Sequence, residues 1–222
     1  MSLFSKKDKL WYDFQNSIHE VIDLAVDLFF QEDEFPEFED DLNRKFYFCL
    51  VESNYRLKKE KRGREAAPIY EGNNQPHSDD IIRAERENKR PDFQWSITDI
   101  YEPNPLLSNK QFVLECKRLG LSNGSWKLNS NYYNNGIYRF ISSNHGYGKG
   151  AASGAMLAYV QSSNITDICS EVNDILGSEN QEKLTITNNL NLKCKLVHKI
   201  VTESSSKIVL NHFWIELQDR YN

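Results

Sequence analysis

Long apolar runs are missing from these 222 residues, and none approaches the ~18 residues that a membrane-crossing helix needs. The first residues, Ser5-Lys6-Lys7-Asp8-Lys9, lead into an amphipathic stretch, so no secretion signal is expected and the cytoplasm is the expected compartment. Cysteine is scarce. Cys49, Cys116, Cys169 and Cys194 are scattered with no C-x-x-C pair, which argues against zinc ribbons, redox motifs and disulfide frameworks. The five histidines show no H-E-x-x-H or other metal-ligand spacing. Gly146, Gly148, Gly150 and Gly154 crowd one segment, but Gly148-Lys149-Gly150 lacks the G-x-x-x-x-G-K-[ST] that cradles nucleotide phosphates. Nucleotide hydrolysis is therefore not expected. Positive charge is also in deficit. At a net charge of −5, any polyanion must be met by a local patch, by a second copy or by a partner subunit. Candidates for such a patch run from Arg56 to Arg64 and from Arg83 to Arg90.

The chain is nonetheless built to fold. Hydrophobic residues make up 39% of it, enough for one domain with a substantial core. Leu10 to Phe30 carries apolar residues at helical spacing, so residues 1–35 read as an amphipathic helical segment ahead of a domain over 36–222. An acidic stretch follows, and Pro36 opens a second helix of about Glu37 to Lys59 with negative charge in its first turn. On that helix Glu52 lies about 60° from Cys49, at the border of the apolar face. Tyr132 to Ser142 reads as another helix, Ala155 to Val160 as a buried strand, and Asn164 as the start of a third long helix. Lys193 to Val201 and Lys207 to Leu217 read as a hairpin.

One stretch carries chemistry. Asp92 to Ile97 alternates polar and apolar residues, Glu102-Pro103-Asn104-Pro105 supplies a turn, and Phe112-Val113-Leu114 runs straight into Glu115-Cys116-Lys117. Side chains two apart on a strand share a face, so Glu115 and Lys117 project together. Pairing the two runs about Asn104 to Leu106 places Asp92 opposite about residues 116 to 120. Two carboxylates meeting an ammonium can hold a hard divalent cation through oxygen and position an attacking water. A second Glu-x-Lys, Glu87-Asn88-Lys89, sits in a highly charged stretch with no strand before it and reads as a solvated helix face.

At Pro91-Asp92 and Glu115-Cys116-Lys117 the sequence resembles the PD-(D/E)xK nuclease superfamily, which includes many restriction and DNA-repair nucleases. The motif covers residues 91–117, and its surroundings extend the likeness to about residues 40–160. The resemblance implies an α/β, restriction endonuclease-like core with a central mixed sheet flanked by helices. It implies Mg²⁺-dependent phosphodiester hydrolysis, with Mn²⁺ able to substitute. Asp92 and Glu115 would be metal ligands, the Cys116 carbonyl an extra ligand, and Lys117 the residue that orients or activates water. Glu52 would be the further acid supplied by a preceding helix. Arg139 would sit near the substrate phosphate, with Lys149 and Arg90 as further contacts to DNA. The function so implied is a DNA endonuclease of restriction or anti-phage defence, acting as a homodimer or with a partner subunit. The alternative is a non-catalytic interaction subunit that keeps the nuclease-like fold and docks a partner through its N-terminal helix and acidic stretch. Lys117→Ala is expected to abolish cleavage and spare the fold.

Overall fold

A computed structural model describes residues 5–62, 67–76, 80–121, 127–147, 152–190, 192–218 and 220. Helix α1, Lys6–Phe29, starts at a reciprocal cap in which the Asp8 N–H donates to Ser5 Oγ (3.1 Å) and the Ser5 N–H to Asp8 Oδ2 (3.2 Å). Its apolar stripe, Phe14, Ile18, Val21, Ile22, Ala25 and Phe29, is buried. Helix α2, Glu39–Lys59, opens with Glu39, Asp40 and Asp41, where the helix dipole favours acids, and buries Leu42, Phe46 and Leu50. Both helices share one core with Phe93, Phe112, Leu114, Leu157 and Tyr159 of the sheet. The N-terminal segment thus spends its apolar face inside the same core as the rest of the chain. Among the described residues no helix is long and apolar enough to cross a membrane.

The sheet is mixed and open, with seven strands in the order β1-β2-β3-β4-β7-β6-β5. The strands are β1 Ile69–Tyr70, β2 Phe93–Thr98, β3 Asn109–Leu119, β4 Ser153–Val160, β5 Thr185–Leu190, β6 Lys193–Val201 and β7 Lys207–Glu216. Strands β1, β2 and β3 are antiparallel neighbours, β4 runs parallel to both β3 and β7, and β7, β6 and β5 are again antiparallel. All eight residues of β4 are buried, as a parallel strand covered on both faces requires. The expected strand at 155–160, the hairpin of β6 with β7 and the helix capped by Asn164 are all present. Strand β5 was not anticipated: every residue of it is exposed, so no apolar alternation marks it.

The second face of the sheet carries α4 (Leu128–Tyr132), α5 (Tyr138–Ile141) and α6 (Ile165–Ser178). Here the expected single helix over 132–142 is corrected. It starts earlier, and its middle, Tyr133–Ile137, widens into a π-helical turn. Gly136 lies in that turn, where an added Cβ would come within 2.6 Å of Met156 Cε and 3.2 Å of Lys117 Cγ. A larger residue there would have to push the Met156 and Lys117 side chains aside. The short helix α3, Arg83–Glu87, precedes β2.

Candidate functional site

The β2–β3 register pairs Phe93 with Leu114 and Thr98 with Asn109. Asp92 therefore stands one step beyond the ladder, level with Glu115 and one residue short of the expected 116–120. Since β2 begins at Phe93, the edge of β3 past Leu114 has no strand beside it on that side, and acidic side chains take its N–H groups instead. The Cys116 N–H donates to Asp92 Oδ2 at 2.6 Å and the Arg118 N–H to Glu39 Oε2 at 3.3 Å. The Cys116 carbonyl faces the same edge and accepts from Lys117 Nζ at 2.5 Å.

Lys117 is the hub. It is only 4% exposed, and its Nζ lies 2.7 Å from Glu39 Oε1, 3.2 Å from Glu115 Oε1 and 3.8 Å from Asp92 Oδ2. Burial disfavours its charge, but the attraction of Glu115, Asp92 and Glu39 wins and raises its pKa, so the ammonium persists. This corrects the expectation that Lys117→Ala spares the fold, because truncation would leave crowded carboxylates without their counter-charge.

Glu115 is fully buried. Its Oε1 also pairs with Arg139 Nη1, while Oε2 has no hydrogen-bond partner among the described residues. Burial, reinforced by Asp92 and opposed by Lys117 and Arg139, pushes its pKa up to about 8. Burial also raises Glu39, against the pull of Lys117. Asn43, one helical turn beyond Glu39, donates from Nδ2 to Asp92 Oδ1 at 3.2 Å and accepts from the Tyr159 hydroxyl at 2.9 Å.

Five of the expected residues thus converge: Asp92, Glu115, Cys116, Lys117 and Arg139. Glu52 does not, and its assignment is corrected. It is half-exposed and paired with Arg56 on the same helix. Thirteen residues separate it from Glu39, the α2 acid that reaches Lys117, about 20 Å along the axis at ~1.5 Å per residue. Arg90 is exposed and donates from Nε to Asn73 Oδ1 at 3.2 Å, bracing the loop before β2 and not touching the carboxylates. Lys149 lies outside the described residues.

Sequence reasoning missed Glu39 and Asn43. Their signal was an i, i+4 polar pair in the first turns of α2, which reads equally well as ordinary dipole complementation.

Among the described residues, no group of three or more His, Cys, Asp and Glu side chains is spaced to hold a metal ion. The oxygens that converge around Lys117 are those of three carboxylates, Asp92, Glu115 and Glu39, and the Cys116 backbone oxygen. All are hard oxygen donors of the kind that bind Mg²⁺. The buried, unpartnered Oε2 of Glu115 fits that chemistry, because such an atom is costly unless a cation or a proton satisfies it.

Compared with known proteins, the chain matches no family model, no curated protein and no solved structure. A functional reading has to come from the site itself.

Proposed function

We propose that the chain is a Mg²⁺-dependent nuclease of the PD-(D/E)xK type that hydrolyses phosphodiester bonds of DNA in restriction or anti-phage defence. One observation carries the reading: Asp92, Glu115 and Lys117 meet at the open edge of β3 with a fully buried carboxylate oxygen left unsatisfied. A fold gains little from such a cluster. Buried charges cost desolvation that hydrophobic residues of similar size would avoid, so their presence points to chemistry. The mixed sheet flanked by helices supports the restriction endonuclease-like architecture that goes with this reading.

Asp92, Glu115 and the Cys116 carbonyl would hold the ion. Bound Mg²⁺ would polarise the phosphodiester and lower the pKa of an attacking water. Lys117, held protonated by its acidic neighbours, cannot take a proton from that water. Its three N–H groups face Glu39, Glu115 and the Cys116 carbonyl, so it would act by setting positive charge beside the phosphate and would orient the water only by exchanging one of those contacts. Arg139 is about one-quarter exposed and can offer its solvent-facing side to the phosphate. The basic run at the end of α2 lies about 25 Å along the helix from Glu39, so a second copy or a partner subunit would supply the further backbone contacts.

The second reading, a non-catalytic subunit on the same fold, is favoured by the absence of a three-residue metal cluster among the described residues. It loses the docking surface expected of α1, whose apolar face is internal.

The deciding experiment incubates the purified chain with supercoiled and linear DNA in Mg²⁺, Mn²⁺ or EDTA, with Lys117→Gln alongside. Metal-dependent cutting that the variant lacks is the expected result. Cutting undiminished in a folded Lys117→Gln would overturn the site assignment, and no cutting under any metal would favour the scaffold.

A further inference from the structure

We infer that Asn43 and Tyr159 are a positioning pair that fixes the Asp92 carboxylate for cation binding, an inference that rests on the nuclease reading above. Asp92 sits just outside β2, where the ladder no longer constrains its side chain. Both of its oxygens are nevertheless engaged, Oδ2 by the Cys116 N–H and Oδ1 by Asn43 Nδ2. A carboxylate oxygen has two lone pairs, so each oxygen keeps one for a cation while the plane of the group is set.

The orientation of Asn43 is set in turn. Its amide is 2% exposed and wedged between two groups of opposite demand: a carboxylate that only accepts and a phenol that can donate. Turning the amide over would put its oxygen against Asp92 and its NH₂ against the Tyr159 hydroxyl. The Tyr159 hydroxyl on Asn43 Oδ1 therefore points Nδ2 at Asp92. Tyr159 is itself fully buried, and its hydroxyl donates to Asn43 Oδ1. Three elements converge on the one carboxylate: α2 through Asn43, β4 through Tyr159 behind it, and the backbone of β3. An amide and a phenol at such burial cost desolvation that a leucine and a phenylalanine would not. Their hydrogen bonds offset that cost only when the chain ends on an acceptor, and the acceptor is Asp92. Asn43 turns its NH₂ to Asp92 and its oxygen away to Tyr159, so it faces the carboxylate as a donor and not as a further ligand. It acts through Asp92.

The test measures Mn²⁺ binding to the full chain by calorimetry, with circular dichroism confirming that each metal-free variant folds. Tyr159→Phe keeps the ring and removes only the hydroxyl. Its Mn²⁺ affinity should fall about tenfold, the lower end for a residue that orients a ligand. The Mg²⁺ concentration for half-maximal cleavage should rise by the same factor, with KM for DNA unchanged and the rate restored at saturating metal. Asn43→Ala should weaken binding further, and the double variant should be no weaker than Asn43→Ala alone, because the two residues act in series. A parent that binds Mn²⁺ and cuts, with both single variants matching it, would overturn this inference and leave the nuclease reading intact. Additive losses in the double variant would overturn the serial arrangement. A parent that neither binds Mn²⁺ nor cuts would overturn both readings.

Discussion

The chain contains two Glu-x-Lys tripeptides, and the fold treats them in opposite ways. Glu87 ends α3, is part-exposed and pairs with Arg83 on its own helix at 2.6 Å. Lys89 follows beyond the helix end, its N–H bonded back to the Arg86 carbonyl. Glu115 and Lys117 lie on β3, at 0% and 4% exposure, with their charged ends 3.2 Å apart. The difference is one of setting. Residues i and i+2 share a face on a strand, whereas Glu87 ends its helix and Lys89 lies past it, so the same spacing brings the two side chains together in one place and not in the other. Burial then sets the stakes. A part-exposed i, i+4 pair such as Arg83–Glu87 is worth a few tenths of a kcal/mol, whereas removing one partner of a buried pair costs about 3–5 kcal/mol.

The sharpest way to break this comparison is to neutralise both lysines. Lys117→Gln should lower Mg²⁺-dependent cleavage on the order of 10³-fold, as loss of a group aimed at transition-state charge does. Lys89→Gln should cleave within about twofold of the parent. Initial rates on a linear duplex decide it, and a thermal melt of each variant separates lost chemistry from lost fold. Equal losses would erase the distinction between the two tripeptides.

Metal should make the same distinction without turnover. At ~100 times its Kd, Mn²⁺ contributes about 2.7 kcal/mol to the folded state, about 5–10 °C in Tm for a chain of this size. Asp92→Asn should abolish that gain, while Glu87→Gln should keep all of it. EDTA should return the parent to its metal-free melting temperature.

Acidity probes Glu115 itself. Its folded pKa, about 8, lies above the ordinary 4.5, so the folded state holds this proton more tightly than the unfolded chain. The stability it contributes is complete below about pH 4.5 and is lost as pH rises through about 8. In EDTA, the parent should therefore lose Tm across that window. Glu115→Gln should lose less and melt higher at pH 8–9, by about 2–4 °C for each kcal/mol recovered. A variant profile parallel to the parent's would mean that Glu115 is ionised throughout, held so by Lys117 and Arg139.

How much of this was legible in sequence follows from the same geometry. Period-2 alternation marked β2 and the apolar run Phe112-Val113-Leu114 marked β3, and the turn between them brought Asp92 to within one residue of its register, because strand pairing depends only on counting. The burial of Lys117 was not legible, since a lysine after a strand looks solvated until an α-helix from elsewhere lays Glu39 over it. The π-helical turn at Tyr133–Ile137 was not legible either, since its Gly136 packs beside Met156 of a strand 20 residues away in sequence. On α2 the helical wheel gave an angle and no height. Glu52 borders the apolar face in projection, but which end of the helix meets Asp92 is decided by how α2 crosses the sheet.

That choice of helix end yields the finest test, Glu39→Gln against Glu52→Gln. Glu39 Oε2 accepts from the Arg118 N–H and Oε1 from Lys117 Nζ, so glutamine can keep one contact and must lose the charge. Lys117 then has one counter-ion fewer. Cleavage should fall about tenfold, as for a group that tunes a reacting neighbour. Glu52→Gln removes only an exposed i, i+4 pair with Arg56, worth at most about 0.5 kcal/mol, and should leave the rate unchanged. The reverse ranking, with Glu52 costly and Glu39 neutral, would mean that the C-terminal half of α2 faces the substrate. In that event the carboxylates around Lys117 would be a structural cluster.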